Sequence, residues 1–126
     1  MHCRFPYFED RPHIPIVIEG VQKRARFLPL LDTGADFSIF NKSDAMRLGL
    51  NWKAGSSIKL CNADGTSFNA KSFKLNVEIE GYKFKAVICF VDNSKSSMPL
   101  LGRSEVFEKF RITILEKEKI VEFETI

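Results

Sequence analysis

Asp32, Thr33 and Gly34 stand between two apolar runs in the stretch "FLPLLDTGADFSIF", residues 27–40. A carboxylate at the end of a strand can act as a base, a neighbouring hydroxyl can orient the loop, and glycine allows another backbone to approach closely. One carboxylate does not hydrolyse an amide alone. That reaction needs an ionised group to take a proton from water and a protonated group to give one to the carbonyl oxygen. Hydrolysis at this tetrad therefore requires a second aspartate, whereas the bland reading of Asp-x-Gly is an ordinary loop.

The remaining reactive residues suggest less. Cys3, Cys61 and Cys89 are odd in number and far apart, which argues against a disulfide framework or a C-x-x-C metal site. Cys89 lies within "AVICFV" and reads as a small buried hydrophobe. His2 and His13 fall in a polar leader without a Ser or Cys elbow beside them, so neither is assigned a role. The formal charge of +3 is spread thinly, and Lys23, Arg24 and Arg26 alternate with apolar residues as at the exposed end of a hairpin. Nucleic acid is therefore not expected as a partner. No segment has the order of a signal peptide, and no apolar run nears the ~20 residues that span a bilayer. The expectation is a cytoplasmic protein with no membrane partner, in which "NKS" at 41–43 carries no meaning as a glycosylation site.

At 126 residues, with 44% hydrophobic and 28% charged side chains, the chain suits one domain over 1–126 with its own core. Most of it reads as strand. "IPIVIEG" (14–20) alternates, with Pro15 suggesting an edge, and "RARFLPLL" (24–31) completes a first hairpin. "FSIF" (37–40) precedes a short helix capped at Asn41, with Asp44 three residues on, Met46 and Leu48 as core contacts and Gly49 as its end. Asp64-Gly65 predicts a type I′ turn and a projecting hairpin within 57–81. Phe73, Leu75, Val77 and Ile79 alternate with polar residues, while the second half of "YKFKAVICFV" (82–91) is apolar on both faces, as in a central strand. "DNSKSSMP" reads as a polar loop. In "LLGRSEVFEKF" (100–110), Ser104 reads as a helix cap with Phe107 and Phe110 for packing. "RITIL" and "IVEFETI" flank "EKEK" in a terminal hairpin. The expected fold is all-β, a small closed barrel or sandwich with one or two short helices.

The ordered pair "LLDTGADFSIF" and, about 60 residues later, "PLLGRSEVF" resembles the retropepsins, the retroviral-type aspartic proteases, and especially their short prokaryotic members. The resemblance spans nearly the whole chain and implies the retropepsin-like acid protease fold and an aspartic endopeptidase. One Asp-Thr-Gly per chain implies a homodimer in which two Asp32 carboxylates share a proton and hold the attacking water, and the resemblance implies no metal and no cofactor. Thr33, Gly34, Ala35, Leu100, Leu101 and Gly102 would support the catalytic loop, and Asp36 and Arg103 would form an ion pair beside it. Gly34, Asp36, Ala63, Asp64, Gly65, Met98 and Pro99 would contact an extended peptide, with the hairpin around Ala63 to Gly65 as a flap and residues 96–99 as pocket wall. The peptide would bind as an added strand.

"NADGTS" also resembles the Asp-x-Asp-Gly-Thr loop of haloacid dehalogenase-like phosphatases, but Asn62 stands at the nucleophile position and no alternating β/α pattern surrounds it. Two alternatives to a protease stay open at this stage: a catalytically silent peptide-binding module and a dimerisation module of the same fold.

Overall fold

A computed structural model of the chain describes residues 1–92 and 97–126. Eleven strands occur among the described residues. β1 (His2–Pro6), β2 (Ile16–Glu19), β3 (Arg24–Phe27), β4 (Leu30–Leu31) and β5 (Ser38–Asn41) precede the helix α1 (Lys42–Arg47). A 3-10 turn (Trp52–Ala54) leads to β6 (Ser56–Cys61), β7 (Ser67–Ile79), β8 (Tyr82–Val91) and β9 (Leu100–Leu101). A second 3-10 turn (Phe107–Lys109) leads to β10 (Phe110–Leu115) and β11 (Ile120–Thr125). The all-β expectation holds.

The larger sheet runs β3-β2-β7-β8-β5-β9-β4, and β6 pairs with β7 beside that path. β7 changes partner along its length: residues 67–72 face β6, and residues 76–78 face β2. One long strand thus joins the body of the sheet to a projecting hairpin. β8 is central, as its two-sided apolar half requires. Ile88 and Phe90 enter the main core, whereas Cys89 and Val91 enter a second cluster with Leu60 and Ala70 under that hairpin. Burial pushes the Cys89 thiol up to about 11, so it behaves as an inert hydrophobe.

Several local expectations are corrected. β2 lies between β3 and β7 and is not an edge. Pro15 precedes the strand, so its missing N–H removes no ladder bond. "RARFLPLL" divides into β3 and β4 because Pro29 interrupts it. The polar leader contains β1, which alternates Cys3 and Phe5 toward the core and pairs with β11, giving a three-stranded sheet β1-β11-β10. α1 has the expected Asn41 cap, and Asp44 Oδ2 accepts from the Asn41 N–H at 3.0 Å. Its buried residue is Ala45, with Leu48 packed at the C-cap, whereas Met46 is 47% exposed.

The 64–65 turn is a hairpin turn of another type. Type I′ needs positive φ at both central residues, but Gly65 alone is left-handed here, at φ 90°. Gly65 N donates to Asn62 O at 3.1 Å and Asn62 N to Thr66 O at 2.8 Å. This is the three-residue loop in which an ordinary turn is followed by a left-handed glycine. Ser104 does not cap an α-helix either. Glu105 takes φ 62°, which breaks the helical run, and only the 3-10 turn at 107–109 follows.

Candidate active site

The loop 32–37 leaves β4 and enters β5. β9 fixes both of its ends, with Leu30 and Leu31 parallel to Leu100 and Leu101, and Ile39 opposite Leu100. Backbone bonds then tie the loop down. Asp32 N donates to Leu101 O at 3.0 Å, Ala35 N to Asp32 O at 3.2 Å, Arg103 N to Ala35 O at 2.9 Å and Ser104 N to Asp36 O at 2.8 Å. Gly102 N donates to the buried Ser38 Oγ at 3.0 Å. A Cβ on Gly102 would lie 2.3 Å from Phe37 O, so only glycine lets the two segments pack this closely. Leu100, Leu101 and Gly102 are thus in contact with the loop or with β4 and β5 at its ends.

Asp32 is half-buried at the head of this loop, and its Oδ1 accepts from Gly34 N at 2.9 Å. Its second oxygen has no hydrogen-bond partner among the described residues. Thr33 beside it is exposed, and its hydroxyl is unpaired among the described residues. Asp36 and Arg103 form the expected ion pair at 2.5 Å, with both side chains largely in solvent. Such a pair adds little stability, so its effect is on loop geometry.

A cleft of about 430 Å³ opens at Asp32. Gly34, Ala35 and Phe37 form one side of it, and Leu60, Ala63 and Phe68 of the β6–β7 hairpin form the other. Of the three expected flap residues, Ala63 lines this cleft, whereas Asp64 and Gly65 stand at the tip beyond it. The Asp64 carboxylate is turned onto Thr66, accepting from its hydroxyl at 2.6 Å and its N–H at 2.9 Å. Those bonds hold Asp64 below the usual carboxylate range. A second hollow, about 660 Å³, includes Met98, Ser97 and Val91, and meets the first along Ile39, Asn62, Phe68 and Leu100. Pro99 does not line it; its carbonyl accepts from Leu30 N at 2.9 Å and secures β4 instead. Ser96 lies outside the described residues. Phe37, Ile39, Leu60 and Phe68 were not singled out in the sequence. Alternation in the flanking strands was the signal that could have found them.

Glu105 was also missed. Its Oε2 accepts from Val87 N at 2.9 Å, one residue before β5 takes up its pairing with β8 at Ile88. Its Oε1 accepts from Lys74 Nζ at 3.4 Å. The turn that grips the Asp32 loop is thereby braced against the central strand. Glu105→Ala leaves the Val87 amide unpaired and keeps the left-handed backbone. The expected loss is about 1–3 kcal/mol of stability, most of it recovered in Glu105→Gln, as read by denaturant unfolding. Equal stability of the Ala variant and the parent would show that the brace is idle.

The histidines are structural. His13 is buried with Nδ1 3.0 Å from Leu28 O, and His2 lies 3.3 Å from Glu122 on the outer sheet. Among the described residues, no group of three or more His, Cys, Asp or Glu is placed to hold a metal ion. No helix among them is long and apolar enough to cross a membrane.

The curled sheet thus presents one Asp-Thr-Gly loop, packed against Leu100, Leu101 and Gly102 and facing the β6–β7 hairpin across the cleft. The family model described as gag-polyprotein putative aspartyl protease matches residues 15–106, and the chain belongs to that retropepsin-like family. The fold is similar to the crystal structure of a retropepsin-like aspartic protease from Rickettsia conorii, with a TM-score of 0.68. The two sequences are 23% identical over 97% of this chain and 98% of that one.

Proposed function

We propose that the chain is one half of an aspartic endopeptidase, with Asp32 contributed by each of two copies. The observation that carries this reading is Asp32 itself. It stands singly on a loop fixed on both sides by β9, with one oxygen engaged and a peptide-sized cleft in front of it.

In this reading, like charge keeps the paired carboxylates from both ionising, so one proton is shared. A water between them loses a proton to the ionised carboxylate, and its oxygen bonds to the scissile carbonyl carbon. The protonated carboxyl gives its proton to the carbonyl oxygen. Collapse of the resulting diol breaks the C–N bond as the amide nitrogen takes a proton. Thr33 would bond the two loops together, and its exposed hydroxyl supports that role. Gly34 would admit the substrate backbone, and Ala63, Met98 and the neighbouring apolar residues would receive side chains as the peptide lies in the cleft.

An unbiased peptide-library digest tests the reading, and no cleavage at any ordinary pH would overturn it. Concentration supplies a second expectation. Because each copy holds half the site, specific activity falls on dilution in step with dimer dissociation. Sedimentation showing monomer at a concentration with full specific activity would exclude the two-chain site.

A further inference from the structure

A groove of about 570 Å³ lies beside the β6–β7 hairpin, apart from the two hollows described above. Trp52 and Asp92 border it together with Ser57, Lys59, Asn69 and Lys71 of the hairpin, and Ile58 and Ala70 complete the lining. In the β6–β7 register Ser57 stands opposite Lys71, and Lys59 opposite Asn69. These four alternate with Ile58, Leu60 and Ala70, which belong to the second core cluster, so the four share the other face of the hairpin. Lys59 borders the Asp32 cleft as well; Lys71 does not.

Charge is unbalanced in this groove. Lys42 Nζ lies 3.3 Å from Asp92 Oδ2 and 4.8 Å from the centre of the Trp52 ring, so the one carboxylate of the groove already has its cation. Lys71 Nζ donates to Ser57 Oγ at 3.1 Å, and neither Lys59 nor Lys71 has a carboxylate partner among the described residues. Other sheet lysines differ. Lys83 on β8 stands opposite Glu78 at 3.9 Å, and Lys74 on β7 lies 3.4 Å from Glu105. Two uncompensated ammonium groups on neighbouring positions of one sheet face repel each other, and a bound anion relieves that repulsion.

The chemistry of the groove suits an acidic polypeptide better than a polyphosphate. Its cations are lysines, compact point charges without the planar fork with which arginine grips phosphate. Two free charges are also a short track for a nucleic acid, and Asp92 repels a uniformly anionic chain. In an extended peptide, side chains two residues apart project to the same side with a spacing of about 6.5–7 Å. Diagonal positions on paired strands, such as those of Lys59 and Lys71, are about 7–8 Å apart. Acidic side chains at alternate positions can therefore meet both ammonium groups, while the indole of Trp52 offers an apolar surface to the stem of one of them.

We infer that this groove docks an acidic polypeptide segment with glutamate or aspartate at alternate positions, held by Lys59 and Lys71 beside Trp52. The inference goes beyond the proteolytic reading, and its test needs no cleavage. Trp52 is the single tryptophan of the chain, so its emission reports on the groove. The probe is a blocked heptapeptide of alternating alanine and glutamate, checked by mass spectrometry to stay whole. It shifts Trp52 emission along a saturating curve with Kd below about 1 mM. In NMR it moves the amide signals of residues 57–59 and 69–71. Raising the salt from about 50 to about 300 mM weakens binding about threefold or more. Lys71→Glu weakens it about tenfold or more. Lys85→Gln, which removes an exposed β8 lysine outside the groove, stays within about twofold of the parent. The glutamine counterpart of the peptide does not bind.

Unchanged Trp52 emission together with unchanged amide signals overturns the inference. Equal binding of the glutamine peptide does so too, because the contact would then not be ionic. Parental affinity in Lys71→Glu would place the peptide elsewhere, and an equal loss in Lys85→Gln would trace the effect to overall charge; either result sinks the assignment. Tighter binding of an oligothymidylate with the same number of charges would replace the acidic peptide by a nucleic acid as the occupant.

Discussion

Asp32→Asn lowers kcat/KM on any peptide the parent cleaves by about 10³-fold or more, with folding and dimerisation unchanged. The substitution keeps the side chain's shape, and the Asn Oδ1 can still accept the Gly34 N–H that Asp32 accepts at 2.9 Å. It removes the ionised form that takes the water proton, and proton transfer of this kind is worth about 10²–10⁴-fold. The two-copy site adds a sharper consequence. Equal amounts of parent and variant, mixed and allowed to exchange, leave about a quarter of the dimers with both carboxylates. Activity should settle near that fraction, below the half that independent monomers would give. A variant that cuts library peptides at the parental rate, with mass spectrometry excluding residual parent, would remove Asp32 from the chemistry.

The parts of this site that are legible in the sequence are those where residue type and geometry coincide. The Asp32 loop and the Leu100–Gly102 segment come together where their ordered motifs suggest, and the alternation along 73–79 tells which face of β7 is buried. Turn and boundary details follow less well. Asp64-Gly65 marks a hairpin, yet only backbone angles separate a type I′ turn from an ordinary turn ending in a left-handed glycine. Both accept the same residues. Ser104 reads as a cap because nothing local shows that Glu105 will turn left-handed. Its carboxylate is drawn to Val87, 18 residues away in the chain. β1 is hidden because its partner, β11, lies at the opposite end of the sequence. The hydrogen bonds that join the Asn41 side chain to Ser97, Nδ2 donating to Ser97 O at 2.8 Å and Oδ1 accepting from Ser97 N at 2.9 Å, are hidden for the same reason: the two residues are 56 apart, and each is ordinary in its own segment.

Gly102→Ala is expected to cost more stability than any other single methyl addition near the site, and to abolish activity in the fraction that folds. The reason is space. The added Cβ would meet Phe37 O at 2.3 Å, Phe37 C at 2.4 Å and Ala35 O at 2.9 Å, all of them backbone atoms that cannot swing aside. Residues 35–37 must retreat, stretching the Arg103 N to Ala35 O bond and the buried Gly102 N to Ser38 Oγ bond that align Asp32. Overpacking of this kind costs about 1–3 kcal/mol and sometimes more. A strained buried hydrogen bond adds about 1 kcal/mol. Alanine's smaller unfolded-state entropy returns about 0.4–1 kcal/mol, too little to offset them. Gly81→Ala is the instructive comparison. That glycine lies between β7 and β8 at φ 81°, and an added methyl there would meet nothing within 4 Å, so its penalty is backbone strain of about 1–2 kcal/mol. Chemical denaturation ranks the two variants, and kcat/KM per folded molecule separates them further. Gly81→Ala should keep the parental value because it touches no part of the Asp32 loop. A Gly102→Ala protein as stable as Gly81→Ala and fully active would mean that the wedge formed by Leu100, Leu101 and Gly102 does not set the position of Asp32.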